Sequence, residues 1–136
     1  MTVFVDTSYF IALMQASDQW HTAAVAADNP DLNLITSNEV VNETISLLRA
    51  RNFLSLALDF LREIREGGDI HIVYVDAGIQ SAAWDLFAKF GGAGASAVDC
   101  TSFATMHRLG VKSAFTFDKH FRTAGFSIIE AQPAGY

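Results

Sequence analysis

Four acidic residues occupy positions at which carboxylates could act together on a metal ion. Asp6 and Asp118 each follow directly on an apolar run of β-forming residues. Glu43 and Asp99 each lie within an apolar pattern of helical spacing. A carboxylate in apolar surroundings is costly unless it is paired or binds a cation, and neighbouring carboxylates raise one another's pKa. A divalent cation would remove that cost, and all-oxygen ligation suits Mg²⁺ or Mn²⁺.

Each acid, taken alone, also has an ordinary explanation. Asp6 can cap a helix, and Asp118 can belong to a turn. Glu43 can face solvent, and Asp99 can pair with Arg108 or with a lysine. The metal hypothesis therefore depends on the four acids as a set rather than on any one of them.

The elements that must position these acids alternate along the chain between short β runs and longer helical stretches. This alternation predicts an α/β fold in which helices cover both faces of a parallel sheet. Sites in such sheets lie beyond the carboxyl ends of the strands, where Asp6 and Asp118 are expected. The predicted strands are 2–6, 32–35, 70–75, 113–117 and 126–130. The predicted helices are 7–17 (capped by Thr7 or Ser8), 20–27, one from 36 past 48, 54–66, 76–90 and 96–109.

Composition narrows the class of protein. The chain has 136 residues, of which 51% are hydrophobic and 18% charged, which suits one globular domain. A single cysteine excludes an intramolecular disulfide framework and a cysteine-based zinc site. No apolar run is long enough for a membrane span, so we expect a cytoplasmic protein. The net charge of −6 lacks the basic character typical of nucleic-acid binders. If the chain binds nucleic acid, the positive charge for this would have to come from a bound metal ion, a local basic patch or another chain.

Four segments resemble the motifs of PIN domains in their order and spacing. They are VFVDTS at 3–8, TSNEVVNET at 36–44, VDCTSFATM at 98–106, and AFTFDKHF at 114–121, the last followed by AGF at 124–126. The resemblance covers almost the whole chain, and it is closest to the single-domain VapC-type toxins. It implies a three-layer PIN-like fold with a central parallel sheet of about four to five strands, forming a single nuclease domain over 1–136.

The resemblance also implies an activity and a set of site residues. The expected activity is that of a Mg²⁺-dependent endoribonuclease, with Mn²⁺ able to substitute, that leaves a 5′ phosphate and a 3′ hydroxyl. The acids of the family carry over to Asp6, Glu43, Asp99 and Asp118. We expect Asp6 and Asp99 to bind the ion directly, and Glu43 and Asp118 to bind it directly or through water. Thr116 matches a hydroxyl that the family often has near the metal.

Further residues and partners are weaker expectations. Thr7 and Ser8 are candidate helpers through hydroxyl or backbone contacts. The candidate RNA contacts are Arg49, Arg51, Lys119, Arg122 and His120, although a solvent-facing turn is the simpler role for His120. The implied partners are a structured RNA such as transfer or ribosomal RNA, a second copy of the chain in a homodimer, and a small antitoxin that blocks the acids with a basic side chain.

Several alternatives stay open at this stage. The chain could be a PIN-fold binding module without catalysis, or a housekeeping RNA-processing nuclease. An aspartate-nucleophile phosphatase is disfavoured, because Ser8 stands where that class needs a second aspartate. Cys100 is expected in the interior, and 91–96 as a flexible lead into the next helix. One group of apolar residues could serve either the core or a partner face: Phe10, Leu13, Met14, Trp20, Phe53, Leu56 and Phe60.

Overall fold

A five-stranded parallel sheet forms the centre of the computed structural model, which describes residues 1–129. Its strand order is β3-β2-β1-β4-β5, so the first strand lies in the middle. This confirms the predicted α/β class with a parallel sheet flanked by helices. The strands are β1 (Thr2–Val5), β2 (Asn33–Ser37), β3 (Ile70–Val73), β4 (Ser113–Phe115) and β5 (Ser127–Ile128).

Seven helices accompany the sheet over the described residues. α5 packs along α6, α3 packs against α4, and α1 contacts both α2 and α3. A single 3₁₀ turn over Gly91–Ala93 links α5 to α6. The helices are α1 (Thr7–Met14), α2 (His21–Ala26), α3 (Asn38–Ala50), α4 (Leu54–Glu66), α5 (Ala77–Phe90), α6 (Ala97–Leu109) and α7 (His120–Thr123).

The central strand β1 is apolar throughout because it is covered on both faces. Val3, Phe4 and Val5 are completely buried, as expected for the middle strand of a parallel sheet with helices on either side. Phe103 of α6 packs edge-on against Phe121, with ring centroids 5.0 Å apart. These phenylalanines and the three residues of β1 belong to one core cluster, so the strand that delivers Asp6 is anchored in the main core.

The observed boundaries differ from the predicted ones where local chemistry decides them. α1 is preceded by Asp6 as its N-cap residue, whereas Thr7 or Ser8 was the predicted cap, and it ends at Met14 rather than near residue 17. β2 continues to Ser37 because Thr36 and Ser37 pair with β3; the Thr36 hydroxyl also donates to the carbonyl of Val5 on β1, at 2.8 Å. β5 covers only Ser127–Ile128; the predicted end of this strand at residue 130 lies outside the described part.

Two further predictions concern Cys100 and the segment 91–96. Cys100 is buried, as predicted. The segment 91–96 contains the 3₁₀ turn, and Ser96 begins α6 as its cap, which confirms the predicted start of that helix; the expected flexibility of the segment stays a prediction.

The apolar residues that the sequence left between core and surface divide into two groups. Phe10 and Phe60 are buried and meet edge-on, with ring centroids 4.9 Å apart. Leu13, Met14 and Phe53 pack partly buried against the core, and Leu56 is half-buried. Trp20, in contrast, is 44% exposed. Most of the group therefore serves the interior.

Within residues 1–129, every helix is too short or too polar to cross a lipid bilayer.

The start of α3 is set by a side-chain cap. Ser37 has extended backbone, and its hydroxyl accepts a hydrogen bond from the amide of Val40 at 3.2 Å. The same helix carries Glu43 one turn further on. The sequence signal at 36–39 therefore fixes where this acid enters the site.

We expect Ser37→Ala to lower the free energy of unfolding by about 1 kcal/mol, because it leaves a buried amide of the first turn of α3 without its acceptor. Urea titration followed by circular dichroism measures this change. Ser46→Ala, at an exposed position of the same helix, is the matched control and should be neutral or slightly stabilising. Equal stability of the two variants would contradict a capping role for Ser37.

Candidate active site

The acids converge at the carboxyl edge of the sheet, where the order of the strands changes direction. The chain runs from β1 to β2 and β3 on one side, and returns to β4 and β5 on the other. β1 and β4 are neighbours, with Val5 paired to Phe115, so Asp6 and the residues after β4 follow adjacent strand ends. A crevice at such a switch point is the usual place for a site in an open parallel sheet.

Asp6 is held in place by two side-chain hydroxyl groups. It is 4% exposed, and its Oδ2 accepts hydrogen bonds from Ser8 Oγ at 3.0 Å and from Thr116 Oγ1 at 2.8 Å. Its amide donates to the carbonyl of Phe115 at 3.0 Å. Burial raises the pKa of Asp6 to about 7; the bond from Thr116 works against this rise, and the charge of Asp99 adds to it.

The two strand ends are joined by hydroxyls that donate to one partner and accept from another. Thr116 Oγ1 donates to Asp6 and accepts from the amide of Asp118 at 2.9 Å. Ser8 Oγ donates to Asp6 and accepts from the amide of Phe117 at 2.9 Å. The predicted helpers Ser8 and Thr116 therefore fix the backbone after β4 relative to the carboxylate after β1.

Asp99 faces the site from the first turn of α6. It forms a reciprocal capping box with Ser96: the amide of Asp99 donates to Ser96 Oγ at 3.0 Å, and the amide of Ser96 donates to Asp99 Oδ2 at 2.9 Å. Asp99 is 7% exposed. Its pKa is raised to about 6, chiefly by burial and also by the charges of Asp118 and Glu43, while the hydrogen bonds from Ser96 oppose the rise.

All four acids line one open cleft of about 390 Å³. Glu43 comes from the middle of α3 and is half-buried. Thr7 also lines the cleft; it is buried, and its Oγ1 has no hydrogen-bond partner within residues 1–129. The four acids that the sequence singled out thus come together from four separate parts of the chain.

The ordinary explanations of single acids are mostly overturned. Asp6 is the N-cap residue of α1, but its side chain makes no capping bond. Arg108 pairs with Asp76 at 3.1 Å and not with Asp99. Glu43 faces the cleft instead of open solvent. Asp118 does form a turn, because its Oδ1 accepts from the amide of His120 at 2.9 Å, yet it lines the cleft as well.

His120 is closer to the acids than the sequence indicated. A solvent-facing turn was the simpler prediction, and it is corrected: the ring lines the cleft, and its Nδ1 lies 2.6 Å from Asp118 Oδ1. The ring packs against Gly94, whose φ is +103° and whose added Cβ would lie 2.9 Å from His120 Nε2. The glycine-rich segment therefore leaves the space that this imidazole fills.

The candidate RNA-contacting cations are placed unequally. Arg51 lines the cleft, and its Nη1 donates to Gln15 Oε1 at 2.9 Å and lies 3.9 Å from Asp18 Oδ2. Arg49 is exposed and is not part of the cleft wall. Lys119 and Arg122 line a second, neighbouring cavity. The position of Arg51 depends on the loop after α1, which has no pattern in the sequence.

The donor atoms fit a divalent cation. Asp99, Asp118 and His120 each offer a ligand atom within 4.8 Å of the others. Asp6 and Glu43 act electrostatically on Asp99 across the cleft. In the part of the chain that the structure describes, no lysine or arginine forms an ion pair with Asp6, Glu43 or Asp99. A hard cation would balance these negative charges. A water bound to that cation would give the unpartnered Thr7 hydroxyl a hydrogen-bond partner.

Comparison with known proteins identifies the relatives of this chain. The model of the family described as PIN domain matches residues 3–127. The 23S rRNA-specific endonuclease VapC20 of Mycobacterium tuberculosis H37Rv is 35% identical over 133 residues, which cover 96% of this chain and 98% of VapC20. The resemblance to PIN domains, and among them to VapC-type proteins, is thereby confirmed.

Solved structures give the same result. The crystal structure of VapC20 from Mycobacterium tuberculosis, described as a toxin that cleaves the sarcin–ricin loop, matches with a TM-score of 0.85 and 34% identity over 94% of this chain and 98% of that one. FitAcB from Neisseria gonorrhoeae matches with a TM-score of 0.62 and 16% identity over 95% and 96%. The second likeness shows the fold alone.

We expect Asp6→Asn to stabilise the metal-free chain, because the carboxylate is disfavoured where it is buried. The pKa of Asp6 is about 7 in the folded chain, against an ordinary value of 3.8, so ionisation costs stability progressively from pH 4 to 7. The variant should therefore be more stable by about 1–3 kcal/mol at pH 8, and the difference should vanish below pH 4. Urea titrations in EDTA at both pH values measure it.

The control for this comparison is Asp85→Asn, an exposed acid on α5, which should leave stability unchanged at either pH. A loss of stability in Asp6→Asn at pH 8 would show that the hydroxyl bonds outweigh the burial of the charge.

Proposed function

This chain belongs to the PIN-domain family, and on that premise we propose that its four acids form the active site of a metal-dependent endoribonuclease. The residues that would hold the ion are Asp6, Glu43, Asp99 and Asp118. The whole of 1–136 would then serve as one nuclease domain. The protein is an endoribonuclease of the VapC type. Its substrate, its partners and the role of each residue are proposed below.

The observation that carries the proposal is the placement of buried carboxylates without a basic partner. Asp6 and Asp99 are both nearly inaccessible, and burial together with like charge raises the pKa of each. A protein that only needed a stable core would gain by replacing them with neutral residues. Retaining them in an open cleft suits a site that receives a cation along with its substrate.

The residues of the chain orient the site before any substrate arrives. Ser8 and Thr116 both bind Asp6 Oδ2, which leaves Oδ1 of that carboxylate free of their bonds. The backbone amide of Ser96 donates to Oδ2 of Asp99 and fixes that carboxylate. Asp118 is turned by the amide of its own loop. Because these oxygens are already oriented, they need not be reorganised during the reaction. Avoiding that cost is how preorganised sites accelerate a reaction.

A bound divalent cation would neutralise charge developing on the phosphate and make a bound water more acidic. We propose Mg²⁺ as the ion, with Mn²⁺ able to substitute, because carboxylate oxygens dominate the donor set. His120 adds a nitrogen donor beside Asp99 and Asp118, and imidazole nitrogen suits a transition-metal ion such as Mn²⁺ better than it suits Mg²⁺. Thr7 is suited to contact a bound water through its unpartnered hydroxyl.

The proposed substrate is 23S rRNA at its sarcin–ricin loop. The support is the 35% identity with VapC20 over nearly the whole of both chains, together with the description of VapC20 as a toxin acting on that loop. Arg51 is the cation of the cleft wall best placed to contact a phosphate. Gln15 and Asp18 hold its guanidinium, which reduces the entropy lost on binding.

The proposed setting is that of a toxin–antitoxin pair. We expect a cytoplasmic homodimer and a small antitoxin, by likeness to the VapC-type proteins. The acidic cleft would attract a basic side chain from such a partner, because complementary charge guides association. A housekeeping nuclease would share the cleft but would not arrest growth.

The purified chain should cut 23S rRNA within ribosomes into discrete fragments when Mg²⁺ or Mn²⁺ is present, and should not cut it in EDTA. Asp6→Asn and Asp99→Asn should each lower the rate of cleavage by about 100-fold or more, since each removes a charged oxygen from the site. Primer extension on the products measures the rate and locates the cut.

The control for the cleavage assay is again Asp85→Asn, which should cut like the wild type. Fragments that persist in both site variants would point to a contaminating nuclease. Absence of cleavage by the folded wild type with either metal would contradict the proposed activity.

Induced expression of the wild-type chain in bacteria should arrest growth, whereas expression of Asp99→Asn should not, because arrest requires cleavage. Colony counts after induction, with matched protein levels checked by immunoblot, measure the effect. Normal growth under a wild-type chain that cleaves rRNA in vitro would favour the housekeeping alternative over the toxin.

A further inference from the structure

A second cavity, of about 330 Å³, lies beside the acidic cleft and shares a wall with it. Trp20 lines both. Thr116 lines the second cavity and donates to Asp6 of the first. Lys119 and Arg122 complete the polar part of the second wall, next to Phe117. We propose that this cavity is a nucleotide subsite, which takes an unpaired base of the RNA on Trp20 and a neighbouring phosphate on Lys119 and Arg122.

Trp20 is an exposed ring at the end of an ordered aromatic stack. Its ring is nearly parallel to that of Phe117, with an interplanar angle of 5° and centroids 5.1 Å apart. Tyr9 stacks on Phe117 at 6.2 Å and on Phe115 at 4.5 Å. The stack runs outward from the buried end of β4 and finishes at Trp20, which remains 44% exposed. A base added to Trp20 would extend an existing series of parallel rings.

The backbone around Trp20 is fixed although it belongs to a loop. The amide of Trp20 donates to Asp18 Oδ1 at 2.9 Å. Nδ1 of the next residue, His21, lies 2.7 Å from the carbonyl oxygen of Ala12 on α1. Asp18 also lies near the guanidinium of Arg51. An aromatic platform held in advance loses little entropy when a base stacks on it, which distinguishes it from an apolar side chain that is merely left at the surface.

The charges in this cavity differ in sign from those of the protein as a whole. The chain has nine basic and fifteen acidic residues, yet Lys119 and Arg122 are the charged residues of this wall. Basic residues next to an aromatic platform are the usual means of binding single-stranded nucleic acid, in which stacking holds the base and the cations hold the backbone. An unpaired nucleotide therefore suits this cavity better than a neutral apolar ligand.

The inference rests on the proposed ribonuclease function and deepens it. Because the cavity adjoins the acids through Trp20 and Thr116, a nucleotide there would be a close neighbour of the phosphate that is cut. Its contribution would be to substrate binding and to the choice of an unpaired segment, and not to the chemical step. The subsite is thus expected to affect KM more than kcat.

The direct test uses the fluorescence of Trp20. The chain has two tryptophans, and Trp84 is an exposed residue of α5 that lines neither cavity. In the Trp84→Phe variant, a single-stranded pentaribonucleotide should quench Trp20 emission and bind with a measurable Kd. Asp99→Asn is included in the same chain so that the RNA stays intact. The Trp20→Phe variant, which retains only Trp84, should show no quenching.

Affinity and turnover give the second readout. Trp20→Ala should weaken binding of the pentaribonucleotide about tenfold, and Trp20→Phe should restore most of it because a phenyl ring can still stack. Lys119→Ala should reduce the steepness of the salt dependence by about 0.7 in log–log slope. In the active chain, Trp20→Ala should raise KM for the rRNA with little change in kcat. Trp84→Ala is the matched control and should match the wild type throughout.

The outcomes separate the subsite from the nuclease. If the wild type cuts rRNA but the RNA does not quench Trp20, or if Trp20→Ala and Trp84→Ala behave alike, the subsite is overturned and the proposed function stands. A fall in kcat with unchanged KM in a folded Trp20→Ala chain would also overturn it. Failure of the wild type both to cut rRNA and to bind the pentaribonucleotide would overturn the two proposals together.

Discussion

The burial of like-charged carboxylates at one edge of the sheet is the constraint on which the rest of the site depends. Burial and like charge hold the pKa of Asp6 at about 7 and that of Asp99 at about 6. Without a cation, the site is therefore only partly ionised near neutral pH. The hydroxyls of Ser8 and Thr116 and the backbone amide of Ser96 are neutral donors, and they orient the oxygens while leaving the negative charge in place. A lysine or arginine in place of these neutral donors would stabilise the fold, but it would occupy the position proposed for the metal ion. The unbalanced negative charge therefore lowers the stability of the metal-free fold.

The gathering of the four acids could be predicted from the sequence because two of them are tied to strand ends. A parallel sheet brings the carboxyl ends of its strands to one edge, so recognising β1 and β4 was enough to place Asp6 and Asp118 together. Ser37 and Ser96 are helix caps that can be read from residue type alone, and they fix how α3 and α6 present Glu43 and Asp99. The fold class and the gathering of the acids followed from local patterns.

Other features could not be predicted because they depend on contacts between distant residues. His120 joins the acids through a four-residue helix that is too short to show periodicity, and its ring needs the space left by Gly94, which is 26 positions earlier. Arg51 reaches the cleft wall only because Gln15 and Asp18 hold it from the loop after α1. Trp20 looked like a residue for the core or a partner face, and only the three-dimensional stack shows it between two cavities. The positions of the acids could be predicted from the residues next to them in the sequence, whereas the residues that form the cleft walls could not.

An acidic chain that handles RNA must obtain attraction from local sources, since its overall field opposes the approach of phosphate. The structure offers three such sources, each short in range. The carboxylates can recruit a cation that then faces the phosphate, Arg51 stands in the cleft wall, and Lys119 and Arg122 stand in the adjoining cavity. Stacking of a base on Trp20, as we propose, would add an attraction that does not depend on charge. A surface of this kind would bind generic duplex weakly, because repulsion acts everywhere except at these points. Discrimination against bulk RNA would then follow from the same negative charge that, in the sequence, argued against a nucleic-acid partner.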